Sequence, residues 1–306
     1  MENAIEILDK SAIPKLLLEI PDPPKRLFIR GRFPEESEKI KFLCVVGSRK
    51  NSRYGKDVCE KLISGLRGYN IVIVSGLALG TDSIAHEEAL RACLKCVAVP
   101  GSGLSWSVLY PRANRDLARR ILENDGALIS EFENDFKAVD YGFPRRNRIM
   151  AGMSHAVLVI EAEQRSGTLI TSRLATEYNR DVLTVPGSIF SSKSEGPHML
   201  IRLGATPVRN SEDILEILGL VSSREDTGTN TTSYDRKNEE IDIETDQRYK
   251  NCSENERKIL SILKVPMNRH ELIAESRMDT STAIITLSLL ELKGFVTESL
   301  GEIRLK

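Results

Sequence analysis

Residues 71–82 read Ile71-Val72-Ile73-Val74-Ser75-Gly76-Leu77-Ala78-Leu79-Gly80-Thr81-Asp82. Four consecutive β-branched residues predict a strand, the glycines end it, and from Asp82 to Ala92 apolar residues recur at helical spacing. The strand shows no alternation of apolar and polar residues, so both of its faces are expected to be covered, as in a parallel sheet flanked by helices.

The same unit recurs on either side. Strand-like runs fall at Phe42–Val46, Val97–Val99, Ala127–Ile129, Ala156–Ile160 and Val182–Val185, with helical patterns over Gly55–Leu66, Asn114–Asn124 and Thr168–Asn179. Repeated strand–helix alternation predicts an α/β domain over residues 41–218, with a Rossmann-like, doubly wound, mostly parallel sheet. Ahead of it, residues 1–40 hold one short helical stretch and the irregular Ile20-Pro21-Asp22-Pro23-Pro24, and are expected to form an arm packed on the sheet. Residues 219–252 are polar and poor in patterned apolar residues, with 5 basic and 8 acidic residues in 221–252; they predict a flexible acidic linker. Residues 253–306 open with the capping box Ser253-Glu254-Asn255-Glu256 and continue as three helical stretches and a hairpin turning at Gly301. That order predicts a small winged-helix domain, a variant of the helix-turn-helix.

The chain has 306 residues, room for about two domains, and 43 basic against 44 acidic residues for a net charge of −1. Such a balance excludes a protein that holds nucleic acid by bulk charge, but not one with a local basic groove. The first residues lack a basic, apolar leader, and no apolar run approaches the about 18 residues of a membrane helix. Cys44, Cys59, Cys93, Cys96 and Cys252 read as reduced thiols. Cys93 and Cys96 have half of a zinc spacing, with no second pair, and are expected to lie buried at a helix-to-strand junction. A cytoplasmic protein without membrane, metal or cofactor is expected.

Ligands of such sheets bind outside the carboxyl ends of the strands. Four predicted strand ends run into small and polar residues: Gly47-Ser48-Arg49-Lys50, Ser75-Gly76 through Asp82, Pro100-Gly101-Ser102-Gly103, and Glu161-Ala162 leading to Arg165-Ser166-Gly167-Thr168. Small residues let backbone N–H groups approach an anion, and helix N-termini add positive charge. Each segment alone reads equally well as a tight turn; as a set they predict a phosphate-binding ridge. A dinucleotide fingerprint is not met, since Trp106 stands where a third glycine belongs, and no GxxxxGK[ST] loop exists. The densest cluster is Tyr141-Gly142-Phe143-Pro144-Arg145-Arg146-Asn147-Arg148. Guanidiniums that fork onto phosphates, a ring that stacks on a base and an amide that reads an edge suit a single strand. The same residues read as a helix N-terminus with arginines paired to acids. Asp82 and His86, four apart, could be an acid–base pair or a helix-start acid with a packed histidine behind it.

Taken in order, Gly47-Ser48-Arg49, Ser75-Gly76-x-Ala78-x-Gly80-x-Asp82, Gly101-x-Gly103 with Tyr110-Pro111, Ser130-Glu131, Phe143-Pro144-x-Arg146-Asn147-Arg148, Ser166-Gly167-Thr168 and Pro186-Gly187 resemble the DNA-processing protein A (DprA, or Smf) family over about residues 21–215. The resemblance implies a non-catalytic cytoplasmic protein that binds and protects incoming single-stranded DNA during natural transformation, dimerises through its Rossmann-like domain and loads the RecA recombinase. It places Arg49, Phe143, Arg146, Asn147 and the Ser166-Gly167 turn in the DNA groove. The alternative is a phosphoribohydrolase of the lysine-decarboxylase-like group, whose glutamate position holds Thr171 here, leaving Glu161 and Glu163 as acids. The third helix of the small domain, Ser281 to Lys293, offers only Lys293 as a cation, which favours a partner-binding or regulatory module over duplex recognition.

Overall fold

The protein is described by a computed structural model covering residues 4–8, 13–34, 39–220, 252–263, 267–299 and 302–305. It divides into two compact units, Met1–Glu225 and Asp226–Lys306. The expected linker lies, from 221 to 251, outside the described residues, as does the expected turn at Gly301.

The first unit begins with strand β1 (Ile5–Ile7), a single helical turn α1 (Lys15–Leu18) and strand β2 (Phe28–Gly31). The alternating body follows: β3 (Lys41–Val46), α2 (Arg53–Ser64), β4 (Ile71–Ser75), α3 (Thr81–Arg91), β5 (Lys95–Ala98), α4 (Arg115–Glu123), β6 (Ala127–Ser130), α5 (Gly142–Met153), β7 (Ala156–Val159), α6 (Thr168–Glu177), β8 (Asp181–Thr184), α7 (Glu195–Arg202), β9 (Thr206–Pro207) and α8 (Ser211–Ile217). Among the described residues these strands form one sheet in the order β1-β2-β6-β5-β4-β3-β7-β8-β9. Strands β3 to β9 run parallel, while β1 and β2 pair antiparallel at the β6 edge.

The continuous apolar runs do what their lack of alternation predicts. In β3, Leu43 and Val45 join one core layer with Ile71, Ile73, Cys59 and Leu62, whereas Phe42, Cys44 and Val46 join the other with Val72, Val74, Ile149 and Met153. Two faces buried by one strand force a helix layer on each side. Two expectations change. Residues 28–31 extend the sheet as a strand between β1 and β6, because the β6 edge leaves backbone donors and acceptors that β2 satisfies. Of the Cys93–Cys96 pair only Cys96 is buried; Cys93 is exposed, with φ 58° at the end of α3. Among the described residues, no His, Cys, Asp or Glu cluster is set to hold a metal, and no helix is long and apolar enough to cross a membrane.

From β3 the chain winds outward through β4, β5 and β6, then returns to the other side of β3 as β7 and continues to β8 and β9. The winding direction therefore reverses between β3 and β7, where the loops leaving their carboxyl ends part and open a crevice.

The second unit contains α9 (Glu254–Ile262), β10 (Met267–Asn268), α10 (Arg269–Ser276), α11 (Thr280–Leu292), β11 (Val296–Ser299) and β12 (Glu302–Leu305). Its strands form an antiparallel sheet in the order β10-β12-β11. Ser253 and Glu256 complete the capping box that starts α9. Asn268 and Asp279 cap α10 and α11 with their side chains. Cys252, Ile259, Leu260, Leu272, Leu287 and Ile303 share its core.

Candidate nucleic-acid interface

Three loops meet beyond the carboxyl ends of β3, β4 and β7, and hydrogen bonds lock them together. Thr168 Oγ1, at the start of α6, donates to the Gly47 carbonyl across the switch point, 3.0 Å away. The Ser48 carbonyl accepts from both Thr81 N and Thr81 Oγ1 at 3.2 Å. Ser48 Oγ accepts from Lys50 N at 3.1 Å, and Ser166 Oγ from Thr168 N at 3.2 Å. The turns are thus held by their own side chains, with α6 aimed by its N-terminus at the crevice.

Helix α5 forms the facing wall. Its period divides the cluster read from the sequence into two faces. Phe143, Arg146, Asn147 and Met150 (i, i+3, i+4, i+7) line a cavity of about 370 Å³ together with Gly47, Ser48, Arg49, Ser166, Gly167 and Thr168. Arg145 and Arg148, three apart, turn the other way. Arg145 Nε donates to Glu131 Oε1 at 3.1 Å, while Arg148 binds Glu131 Oε2 and also the Asp22 carbonyl at 2.7 Å. The structure brings Arg146 and Asn147 into the cavity with Arg49 and Phe143; it does not bring Arg145 or Arg148 there. Gly76 lines a smaller recess of about 40 Å³ on the other side of Phe143, shared with Gly101, Tyr110 and Arg49.

Arg49 and Phe143 act as one platform. The Arg49 Cζ lies 5.0 Å from the Phe143 ring centroid, and the Tyr110 ring packs 5.8 Å from it on a tilt. A Cβ on Gly101 would come within 2.6 Å of the Phe143 ring, so only glycine lets the ring settle there. A Cβ on Gly76 would overlap the Arg146 guanidinium. Arg146 as a whole is 5% exposed; its Nη1 donates to the Val99 carbonyl at 2.6 Å, while Nε has no hydrogen-bond partner among the described residues. Burial depresses the Arg146 pKa, and the Asp82 carboxylate counters this. Asp82 is itself buried, with one oxygen accepting from Gly76 N at 3.1 Å and Ala78 N at 3.3 Å.

The sequence offered Asp82 with His86 as one possible acid–base pair. His86 is fully buried, lines neither cavity, and is pushed by burial down to about 4, so it is neutral at pH 7. Glu161 is held away from chemistry as well: its two oxygens accept from Ser52 N at 2.8 Å and Ser52 Oγ at 2.5 Å, fixing the start of α2. Glu163 lines the cavity. Sequence reasoning passed over Met150, which the i+7 spacing from Phe143 marks, and Asp82 as a loop anchor, which nothing in its spacing marks. It also passed over Arg112, exposed just beyond the Tyr110-Pro111 wall of the recess and without an ion pair among the described residues.

The model of the family described as DNA recombination-mediator protein A matches residues 4–219. Protein Smf of Escherichia coli (strain K12) is 44% identical over 214 residues, 69% of this chain but only 55% of that protein. The crystal structure of DNA processing protein A from Streptococcus pneumoniae superposes with a TM-score of 0.64 at 40% identity, over 70% of this chain and 74% of that one. A structure of DNA processing protein A from Helicobacter pylori, reported for its single-stranded DNA binding mode, gives 0.62 at 28% identity, over 71% and 98%. The matches span about the length of the first unit.

Proposed function

The chain belongs to the DNA recombination-mediator protein A family, and on that premise we propose that its switch-point cavity binds single-stranded DNA. The observation that carries this reading is the Arg49–Phe143 platform standing beside the Arg146 guanidinium in one cavity with the Ser48 and Ser166–Thr168 turns. A single strand offers the two things this surface takes: unstacked bases for an aromatic face and singly charged phosphates for guanidiniums and loop amides. In this reading Gly47, Ser48, Arg49, Arg146, Ser166, Gly167 and Thr168 hold phosphates, Phe143 stacks, Asn147 reads a base edge, and Gly76 leaves room for Arg146. Arg145 and Arg148 serve α5 rather than the strand.

The wider role we infer is that of a non-catalytic cytoplasmic mediator. It protects incoming strands during natural transformation and hands them to the RecA recombinase, as a homodimer formed through the first unit. We read the second unit, from its order of helices and strands, as a winged helix that binds a partner rather than a duplex. The relative from Helicobacter pylori is reported to bind the same class of ligand. A nucleotide hydrolase is disfavoured by Glu161, whose carboxylate is committed to Ser52.

Fluorescence anisotropy with a labelled oligo(dT) and a matched duplex, over a range of salt, tests the reading. Single-strand preference with affinity falling steeply in salt is expected, because each phosphate contact releases counterions. No single-strand binding at low salt overturns it. Release of base from a nucleoside monophosphate, abolished by Glu163→Gln or Glu161→Gln, would move the assignment to the hydrolase.

A further inference from the structure

Asp82 is the second residue of α3, at the carboxyl end of β4, and it borders the cavity. Its Oδ2 is the acceptor for two backbone amides of the loop after β4, those of Gly76 and Ala78. The same loop packs on Arg146, with no space between Gly76 and the guanidinium for even a methyl group. Among the described residues no carboxylate stands within ion-pair distance of Arg146. Asp82, buried beside the same loop, is the acid whose field favours the charged guanidinium. One carboxylate therefore does two jobs, shaping the loop and balancing the buried cation.

A phosphate entering the cavity is a second anion for the same cation. It brings a like charge toward Asp82 in a site where little water screens either. We propose, building on the strand-binding reading, that Asp82 is the positioning residue of this site: it holds the Gly76–Ala78 loop and Arg146 ready while the site is empty, and takes up a proton from solvent when a phosphate arrives. The proton removes the repulsion without freeing the loop, because a protonated carboxyl keeps an acceptor oxygen for the two amides. Burial already holds Asp82 above the usual carboxylate range, with Arg146, the Gly76 and Ala78 amides and Arg49 acting against it. The other titratable groups around it are silent near neutrality. Burial raises the thiols of Cys44 on β3 and Cys59 on α2 and lowers His86 on α3 to about 4.

The sign follows from linkage. If the bound state carries one proton more, affinity rises as pH falls, and it levels off once Asp82 of the free protein is itself protonated. Oligo(dT) is the suitable probe, since neither thymine nor a phosphodiester titrates between about pH 5 and about pH 8, and comparison with the Asp82→Asn profile removes the contribution of every other titrating group. Anisotropy titrations of the full chain over that range, at fixed ionic strength, should show parent affinity rising several-fold toward pH 5. Asp82→Asn keeps the acceptor and loses the charge; it should bind at pH 8 at least as tightly as the parent, with a flat profile. Asp82→Ala loses the acceptor and should bind about tenfold more weakly at every pH. Thermal unfolding of each variant separates loss of binding from loss of fold. A parent profile no steeper than that of Asp82→Asn overturns the proton uptake, and an Asn variant as weak as the Ala variant overturns the loop-holding role. Absence of parent binding at every pH overturns the strand reading itself and this proposal with it.

Discussion

Helix α5 turns a phenylalanine, an arginine and an asparagine toward a cavity, whereas helix α11 leaves Ile285 and Leu292 in water, 61% and 84% exposed. The difference in their cations is sharper. Around α5, Arg49 has an aromatic ring for a neighbour and Arg146 keeps an unsatisfied Nε. Around α11, Lys293 is paired with Glu256 at 2.6 Å, and Arg269 with Glu291 and Glu298 at 3.0 and 2.6 Å. A cation in direct contact with a carboxylate has less to offer a phosphate than one that no carboxylate touches. On that criterion the cations of the first unit, rather than those around α11, are the ones placed to meet a strand.

The widest margin is expected for the double variant Arg49→Ala/Arg146→Ala. Loss of two charge-assisted contacts at about 1.5 kcal/mol or more each predicts oligo(dT) affinity lower by roughly a hundredfold. The slope of log affinity against log salt should fall by about two contacts' worth. Anisotropy at several salt concentrations measures both. A double variant within threefold of the parent breaks the comparison outright.

Phe143→Ala comes next and separates stacking from charge. A base lost from an aromatic face costs about 1–3 kcal/mol, so affinity should drop roughly tenfold or more while the salt slope stays as in the parent. A slope that falls with Phe143 removed would mean that the ring acts mainly by holding Arg49 in place.

The body of the first unit was legible because its strands are unbroken apolar runs and its helices keep their period. The edge was not. Residues 28–31 are short and follow the proline-rich stretch at 21–24, so nothing local distinguishes a strand from an arm; β6, some hundred residues later, supplies the partner. The loops and the ring that line the candidate cavity were legible, since small residues after strands and Phe143 beside arginines carry local chemistry. The sequence and the cavity lining differ where helical period had to be applied within a cluster. Three arginines in four residues look like one patch, yet a turn of α5 sends Arg146 to the cavity and Arg145 and Arg148 to Glu131. The hold of Asp82 on the Gly76 and Ala78 amides depends on a loop conformation that no spacing reveals.

That division makes a finer prediction. Arg112→Ala should weaken oligo(dT) binding about three- to fivefold and lower the salt slope by about one, since it removes an uncompensated cation beside the Tyr110 recess. Arg145→Ala, which removes a cation that is paired with Glu131 and outside the cavity, should leave affinity within twofold and the slope unchanged. The reverse ranking would place the strand on the other face of α5.

The smallest effect is expected in the second unit. Arg269 bridges α10 to Glu291 on α11 and Glu298 on β11, and all three side chains are about one-third exposed or more. Water screens such pairs, so Arg269→Ala should lower the unfolding free energy of this unit by less than about 1 kcal/mol. It should leave oligo(dT) affinity and salt slope where they were, because the charge removed was never available to a phosphate. Chemical denaturation followed by circular dichroism measures the first quantity and anisotropy the second. Were strand binding to weaken with Arg269 gone, its pairing with two glutamates would no longer count as neutralisation. The contrast between α5 and α11 would then rest on the apolar stripe alone.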